Sequence, residues 1–480
     1  MSARPALAVL LPGFEGTELP GWLAERLRDG LAGVCLFATN IASRPQLREL
    51  TDSIRRANPH AVIAIDEEGG DVTRLYQSVG SPYPGNAVLG RIDDEDYTLH
   101  IATIVGWELR IAGVTLDLAP DVDINSNDAN PVIGVRSFGA DAGLVARHGA
   151  AWVRGLQSTG IAASAKHYPG HGDTAQDSHL ALPVVDLPLA TLLERELVPF
   201  SAAIAAGTKT VMTSHIVLPQ LDSEPATFSS KILGMLRETF GGVIVSDALD
   251  MVGASGDIGV PAAAVKALEA GCDLLCLGTE NNAEQLDEIA MAIDRLVPSV
   301  QLLAAIRRIA LLEVADIPIP EYITAWDEPE FDLARTAAVF HSNSSPVHAD
   351  RELFQFETAA NIAVGDAPWG PEDVKVLRDG DRAEVTPGRQ PVLIGRDNHR
   401  HEWVRLIVDD VRAKHPSTIV VDMGWPADDR AYADIATFGA SRHTSQALLA
   451  WLEAAHSESA QSQSARNETA PLETESTDPS

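Results

Sequence analysis

Between Lys166 and His179 the chain reads Lys-His-Tyr-Pro-Gly-His-Gly-Asp-Thr-Ala-Gln-Asp-Ser-His, with three histidines, two aspartates and a lysine in one short segment. Imidazole titrates near neutral pH, so a histidine beside a carboxylate can pass a proton in either direction. Asp177 lies two positions before His179, a spacing that lets both side chains face one side of an extended loop. A carboxylate accepting from one ring nitrogen fixes the tautomer and raises the basicity of the other. A second reactive group stands far off in sequence. Asp247 closes the apolar run Gly241-Gly242-Val243-Ile244-Val245-Ser246, where a strand would aim it rigidly. One segment thus offers a proton donor and the other a carboxylate able to attack or shield a cationic carbon. Cleavage of a glycosidic bond needs such a pair. The bland alternatives are a surface Asp-Ser-His turn and an Asp247 that caps a helix opened by Ala248-Leu249-Asp250-Met251.

Further polar residues fall where strands should end. Lys166 is one of only six lysines, and with His167 it is suited to binding sugar hydroxyls. Asp66-Glu67-Glu68-Gly69-Gly70 offers a carboxylate at a tight turn, with Arg74 shortly beyond, and Arg136-Ser137-Phe138-Gly139 supplies another cation. Structural clamping is the competing role for Arg136 and Lys166. His167, His171, His179 and Asp177 are also ligand types for zinc, so a metal-dependent barrel hydrolase is an alternative, although their spacing matches no standard zinc helix motif.

Eight apolar runs recur before residue 280: Leu7–Leu11, Gly33–Phe37, Val62–Asp66, Val114–Pro120, Ala163–Tyr168, Thr210–His215, Val243–Asp247 and Cys272–Gly278. Helical periodicity separates most of them, over Arg44–Ala57, Tyr97–Ala112, Ala140–Ser158, Leu189–Ala206 and Lys231–Phe240. Strands alternating with helices predict a parallel sheet, and eight of them predict an α/β fold closed into a (β/α)8 TIM-type barrel, with a doubly wound open sheet as the competing architecture. A barrel carries its chemistry at the C-terminal rim of its strands, where Asp66, Asp121, Asp123, Lys166, His167, His215 and Asp247 would sit.

The expected organisation is a catalytic barrel over residues 1–320, a proline- and acid-rich linker over 321–350, a smaller α/β sandwich-like C-terminal domain over 351–455, and a disordered acidic tail over 456–480. In the C-terminal domain Ile362–Val364, Val392–Gly395 and Thr418–Met423 read as strands, and Glu402–Lys414 and Ser441–Ala455 as helices. A formal charge of −32 argues against nucleic acid or an anionic membrane as partner. Cys35, Cys272 and Cys276 lie in apolar runs and read as buried hydrophobes. The N-terminus shows no secretion signal, and Ala6 to Leu11 is too short to span a bilayer, so a cytoplasmic location is expected.

Together these motifs resemble the bacterial β-N-acetylglucosaminidases of glycoside hydrolase family 3. The Lys-His-aromatic-Pro-Gly-His-Gly run followed by Asp177-Ser178-His179 is specific to that subgroup, and the Asp66 turn, the Arg136 loop and Ser246-Asp247 follow in the expected order. The likeness covers roughly residues 5–315. It implies a retaining mechanism in which Asp247 is the nucleophile and Asp177–His179 the acid/base dyad. Asp66, Arg74, Arg136, Lys166 and His167 would hold the N-acetylglucosamine unit, with no metal or organic cofactor. It further implies a small carbohydrate substrate, and peptidoglycan fragments (muropeptides) for members without a secretion signal. Phosphorolysis is the alternative outcome, since a histidine acid/base repels phosphate less than a glutamate would. The chain departs from many relatives at Ala248, where a second acid is common, at Asp71, where arginine is common, and at Glu67, where glutamine is frequent.

Overall fold

The computed structural model describes residues 4–468 apart from 176–181, 257, 280, 313–316, 321–322, 324–327, 344–345 and 359–362, with side chains described to residue 457. The chain divides into two compact units. One comprises the described residues up to Phe331 together with 363–369 and Ser441–His443, and the other comprises Asp332–Thr358, Gly370–Ala440 and the chain from Thr444.

The first unit is built on eight parallel strands: β1 Leu10–Leu11, β2 Gly33–Leu36, β3 Val62–Ile65, β4 Leu116–Asp117, β5 Ala162–Tyr168, β6 Thr210–Thr213, β7 Val243–Ser246 and β8 Leu274–Cys276. They pair in the order β1-β8-β7-β6-β5-β4-β3-β2. Backbone bonds from Ala32 to the Leu7 carbonyl and from Cys35 to the Pro12 carbonyl, both 3.0 Å, draw β2 onto β1, so the barrel is nearly closed. Every strand residue is buried, as expected when side chains fill one face and helices cover the other. Five of those helices begin on polar caps. Ser43, Asp94, Asp141, Ser229 and Asn282 each accept a backbone N–H of the first turn.

Two expectations shift in detail. The run from Leu7 opens as a 3-10 turn, Pro5–Val9, and becomes strand only at Leu10. The single helix expected over Leu189–Ala206 is broken into Leu189–Thr191, a π-turn Leu192–Glu196 and Leu197–Ala205. Pro199 has no N–H to give the Arg195 carbonyl, so the α-helix restarts with Pro199 in its first turn, where that donor is not needed.

The second unit holds β9 His341–Ser342, β10 Arg351–Phe356, β11 Lys375–Leu377, β12 Gln390–Gly395, β13 Ile419–Asp422 and β14 Ile435–Ala436, ordered β11-β10-β12-β13-β14-β9 and parallel except for β9. Phe354, Phe356, Leu393, Val420 and the helix residues Val404 and Val408 form its core. The expected strand Ile362–Val364 is corrected: Ile362 lies outside the described residues, and Val364 is in a turn belonging to the first unit. The helix Arg442–Glu468 continues past His456, where the tail was expected to begin.

Candidate active site

The C-terminal ends of β2 to β8 surround a cavity of about 700 Å³. Asp66, Arg74, Arg136, Lys166, His167 and Asp247, the sequence candidates among the described residues, all line it. Asp177 and His179 lie outside the described residues.

At the floor, consecutive residues Lys166 and His167 both face the cavity, and the β5–β6 register shifts between Ala165 and Tyr168, a local departure from strict strand alternation. The buried Lys166 ammonium donates to Asp66 Oδ1 at 2.6 Å and stands 2.7 Å from Glu68 Oε1. Glu68 also takes a forked pair of bonds from Arg136, at 2.9 and 2.7 Å. Burial alone would raise the Glu68 carboxyl, but Arg136 and Lys166 hold it well below its usual range, and both cations are pushed up in turn. Arg136 reaches Asp121 at 3.5 Å, and Arg74 reaches Asp66 at 3.8 Å. The result is a fixed lattice of charges around Asp66, whose partly exposed carboxylate can still accept from a ligand.

His167 is oriented by Asp123, whose Oδ2 lies 2.7 Å from Nδ1, while Asp123 Oδ1 accepts the backbone N–H of His171 at 2.7 Å. Burial would raise the Asp123 carboxyl, yet His167 and His171 hold it below its usual range. His171 moves the other way. Burial lowers its imidazole to about 4, so it is neutral beside Asp247 near pH 7. The loop beyond is tied down as far as it is described. Asn130 donates to the His171 carbonyl at 2.8 Å, and Asp173 pairs with Arg195 at 2.6 Å. A Cβ on Gly172 would lie 1.7 Å from the Ile124 carbonyl oxygen, so only glycine permits this approach.

Asp247 follows β7 and accepts the N–H of Ala248 at 2.8 Å. The next helix starts only at Val252, with Met251 at its cap position, so the helix-cap explanation for Asp247 fails. His215, from the end of β6, lies 3.0 Å from the Ala248 carbonyl through Nε2 and 3.0 Å from Thr227 Oγ1 through Nδ1, fixing the loop that carries Asp247.

Among the described residues, Asp121, Asp123 and His167 are the group whose ligand-type atoms converge, within 4.8 Å. Those atoms are already committed to the Asp123–His167 bond and to the Arg136 contact, so a dication would have to break the one and face the other. Of the residues weighed for zinc in the sequence, His171 is turned toward Thr174 Oγ1 at 3.0 Å. Sequence reasoning gave Glu68 no role beyond its turn, placed Asp123 at the rim without a partner, and weighed His171 only as a possible metal ligand. The signal was present, since all three belong to polar clusters at strand ends, but their roles come from partners distant in sequence.

A family profile, the glycosyl hydrolase family 3 N terminal domain, matches residues 22–312. The chain belongs to glycosyl hydrolase family 3. It is accordingly a glycoside hydrolase. The β-hexosaminidase of Stenotrophomonas maltophilia (strain K279a) is 38% identical over 315 residues, 63% of this chain and 92% of the relative. That of Xylella fastidiosa (strain M12) is 38% identical over 278 residues, 56% of this chain and 82% of the relative. Among solved structures, a family 3 β-N-acetylglucosaminidase from Paenibacillus sp. str. FPU-7 superposes with a TM-score of 0.80 at 28% identity, covering 93% of this chain and 95% of that one. NagZ from Neisseria gonorrhoeae, in complex with N-trifluoroacetyl-D-glucosamine, gives a TM-score of 0.52 at 30% identity, covering 63% of this chain and 97% of that one.

Proposed function

We propose that the chain is a retaining exo-β-N-acetylglucosaminidase that removes a terminal non-reducing N-acetylglucosamine by hydrolysis. The observation that carries this reading is Asp247 at the end of β7, facing the same cavity as the Lys166–Asp66–Glu68–Arg136 lattice. The lattice offers a carboxylate, an ammonium and a guanidinium at fixed positions, which suits several hydroxyls of one sugar ring.

In the first step an Asp247 oxygen bonds to the anomeric carbon as the glycosidic bond breaks, and the departing oxygen takes a proton from His179, held by Asp177. In the second step water attacks the same carbon, returns a proton to His179 and frees Asp247. His171, lowered to about 4 by burial, adds no positive charge of its own near pH 7. Arg74, Asp66, Lys166 and His167 hold the sugar, and Arg136 keeps Glu68 in place beneath it. Among the described residues no helix is long and apolar enough to cross a membrane. Action on internalised peptidoglycan fragments in the cytoplasm is the biological setting that the sequence resemblance implies.

Trapping tests this directly. A slow-turnover fluorinated N-acetylglucosaminide should leave one covalent sugar, located on the peptide bearing Asp247. A labelled peptide elsewhere, or steady turnover of substrate with no trappable adduct, would overturn the assignment. Running the hydrolysis with phosphate present separates phosphorolysis, which would yield sugar 1-phosphate.

A further inference from the structure

The cavity has two kinds of wall. At its floor, every lysine and arginine is already engaged with a carboxylate: Lys166 with Asp66 and Glu68, Arg136 with Glu68, and Arg74 near Asp66. Toward the opening it carries three exposed carboxylates, Glu15, Asp250 and Asp366. No other lysine or arginine lines it among the described residues.

Asp366 is held rather than trailing. With the Gln77 amide in the orientation that satisfies both its ends, its oxygen accepts from the backbone of Asp366 at 3.2 Å and Ala367 at 2.9 Å, and its nitrogen donates to the Thr73 carbonyl at 2.6 Å. Residues 363–369 are therefore fastened to the same segment that carries Arg74. Because an exo-acting enzyme keeps the terminal sugar on the floor, the leaving sugar extends toward the opening, past these acids.

We propose that the position receiving the leaving sugar is an acidic rim that favours an amine-bearing aglycone over a neutral one and disfavours one with a carboxylate, with Asp366 a specificity-determining residue. This rests on the glycosidase reading above and adds the chemistry of the second sugar to it. Three unit charges roughly 8 Å from a charged aglycone in water give on the order of a fivefold bias at ~10 mM salt, falling close to unity near ~1 M.

The test uses the full chain and four disaccharides that share a non-reducing N-acetylglucosamine. Their second sugars are glucosamine, N-acetylglucosamine, N-acetylmuramic acid, and N-acetylmuramic acid with its lactyl carboxylate converted to the carboxamide. The last two differ in charge at nearly constant shape. The expected order of kcat/KM is ammonium above neutral, and carboxamide above carboxylate by about fivefold at low salt. The ratios should shrink with added salt, and again in Asp366→Asn combined with Glu15→Gln. Turnover of an aryl N-acetylglucosaminide with the carboxylate substrate equal or preferred would overturn the rim proposal alone, as would ratios insensitive to both salt and the double variant. Failure to cleave any of these glycosides, the aryl one included, would overturn the underlying glycosidase reading as well.

Discussion

Replacing Glu67 by glutamine should make the protein more stable at pH 8 than at pH 5, relative to the parent. The side chain is fully buried, and its Oε2 accepts the backbone N–H groups of Arg74 at 2.8 Å and Leu75 at 2.9 Å. Burial is the largest influence on its carboxyl; Thr73 and those two N–H groups oppose it, and the net effect is a rise from 4.5 to about 7. In the unfolded chain the group ionises near 4.5, whereas the folded protein keeps the proton until about 7. Protonation therefore favours the folded state below the unfolded value, and that advantage is lost as the pH rises through 7. Between pH 5 and pH 8 the loss amounts to about 2.5 kcal/mol, at roughly 1.4 kcal/mol for each tenfold difference in proton affinity between the folded and unfolded chain. Glutamine keeps an oxygen for both N–H groups and never ionises. Its buried NH2 adds a cost that does not change with pH, so the difference between the two proteins isolates the titration. Thermal melts of parent and Glu67→Gln at both pH values should show the Tm difference moving in favour of the variant by about 3.5 °C on going from pH 5 to pH 8. A pH-independent difference, or movement the other way, would refute the claim that this carboxyl is protonated in the fold at acid pH and strained at alkaline pH.

Asp247→Asn should lower kcat on an aryl N-acetylglucosaminide by roughly a thousandfold or more, a loss of about 4 kcal/mol, in a protein with an unchanged melt; near-normal turnover would remove it as nucleophile. His179→Ala should be slow chiefly on disaccharides, whose leaving oxygen needs a proton, and much less impaired on activated aryl glycosides. Equal loss on both would make His179 a structural residue. Asp273→Ala should destabilise by about 3 kcal/mol while sparing the chemistry, because its carboxylate holds Arg237 at 2.7 Å, Arg308 at 2.8 Å and the Ile244 N–H at 2.9 Å on the far side of the barrel from the cavity. Urea unfolding beside a steady-state assay measures both quantities.

The barrel was legible because its strands announce themselves. Val62-Ile63-Ala64-Ile65 and Val243-Ile244-Val245 are unbroken apolar runs, as burial on both faces demands, and Arg44–Ala57 repeats its apolar residues at helical spacing. β10 was missed as a strand for the complementary reason. Arg351-Glu352-Leu353-Phe354-Gln355-Phe356 alternates between partly exposed and buried positions, so half its residues are polar and charged. Ile362–Val364 misled because a short apolar run carries no information about the partner it packs on. In the site, the candidates that line the cavity could be placed at strand ends from the chain, but most of their supports could not. Glu68 matters because Arg136 and Lys166, 68 and 98 positions away, close on it from two sides, and no local spacing encodes that meeting.

The Gln77 bracket around Asp366 separates two tasks along the chain. The proposed nucleophile Asp247 and the proposed sugar-holding residues come from the barrel itself, while part of the lip comes from residues 363–369, well downstream of the last barrel strand. Curated relatives such as the Stenotrophomonas protein align over 92% of their own length yet only 63% of this one. On the rim proposal, exchanges in that downstream stretch would retune which partner sugar is accepted while the barrel residues that line the cavity stay as they are.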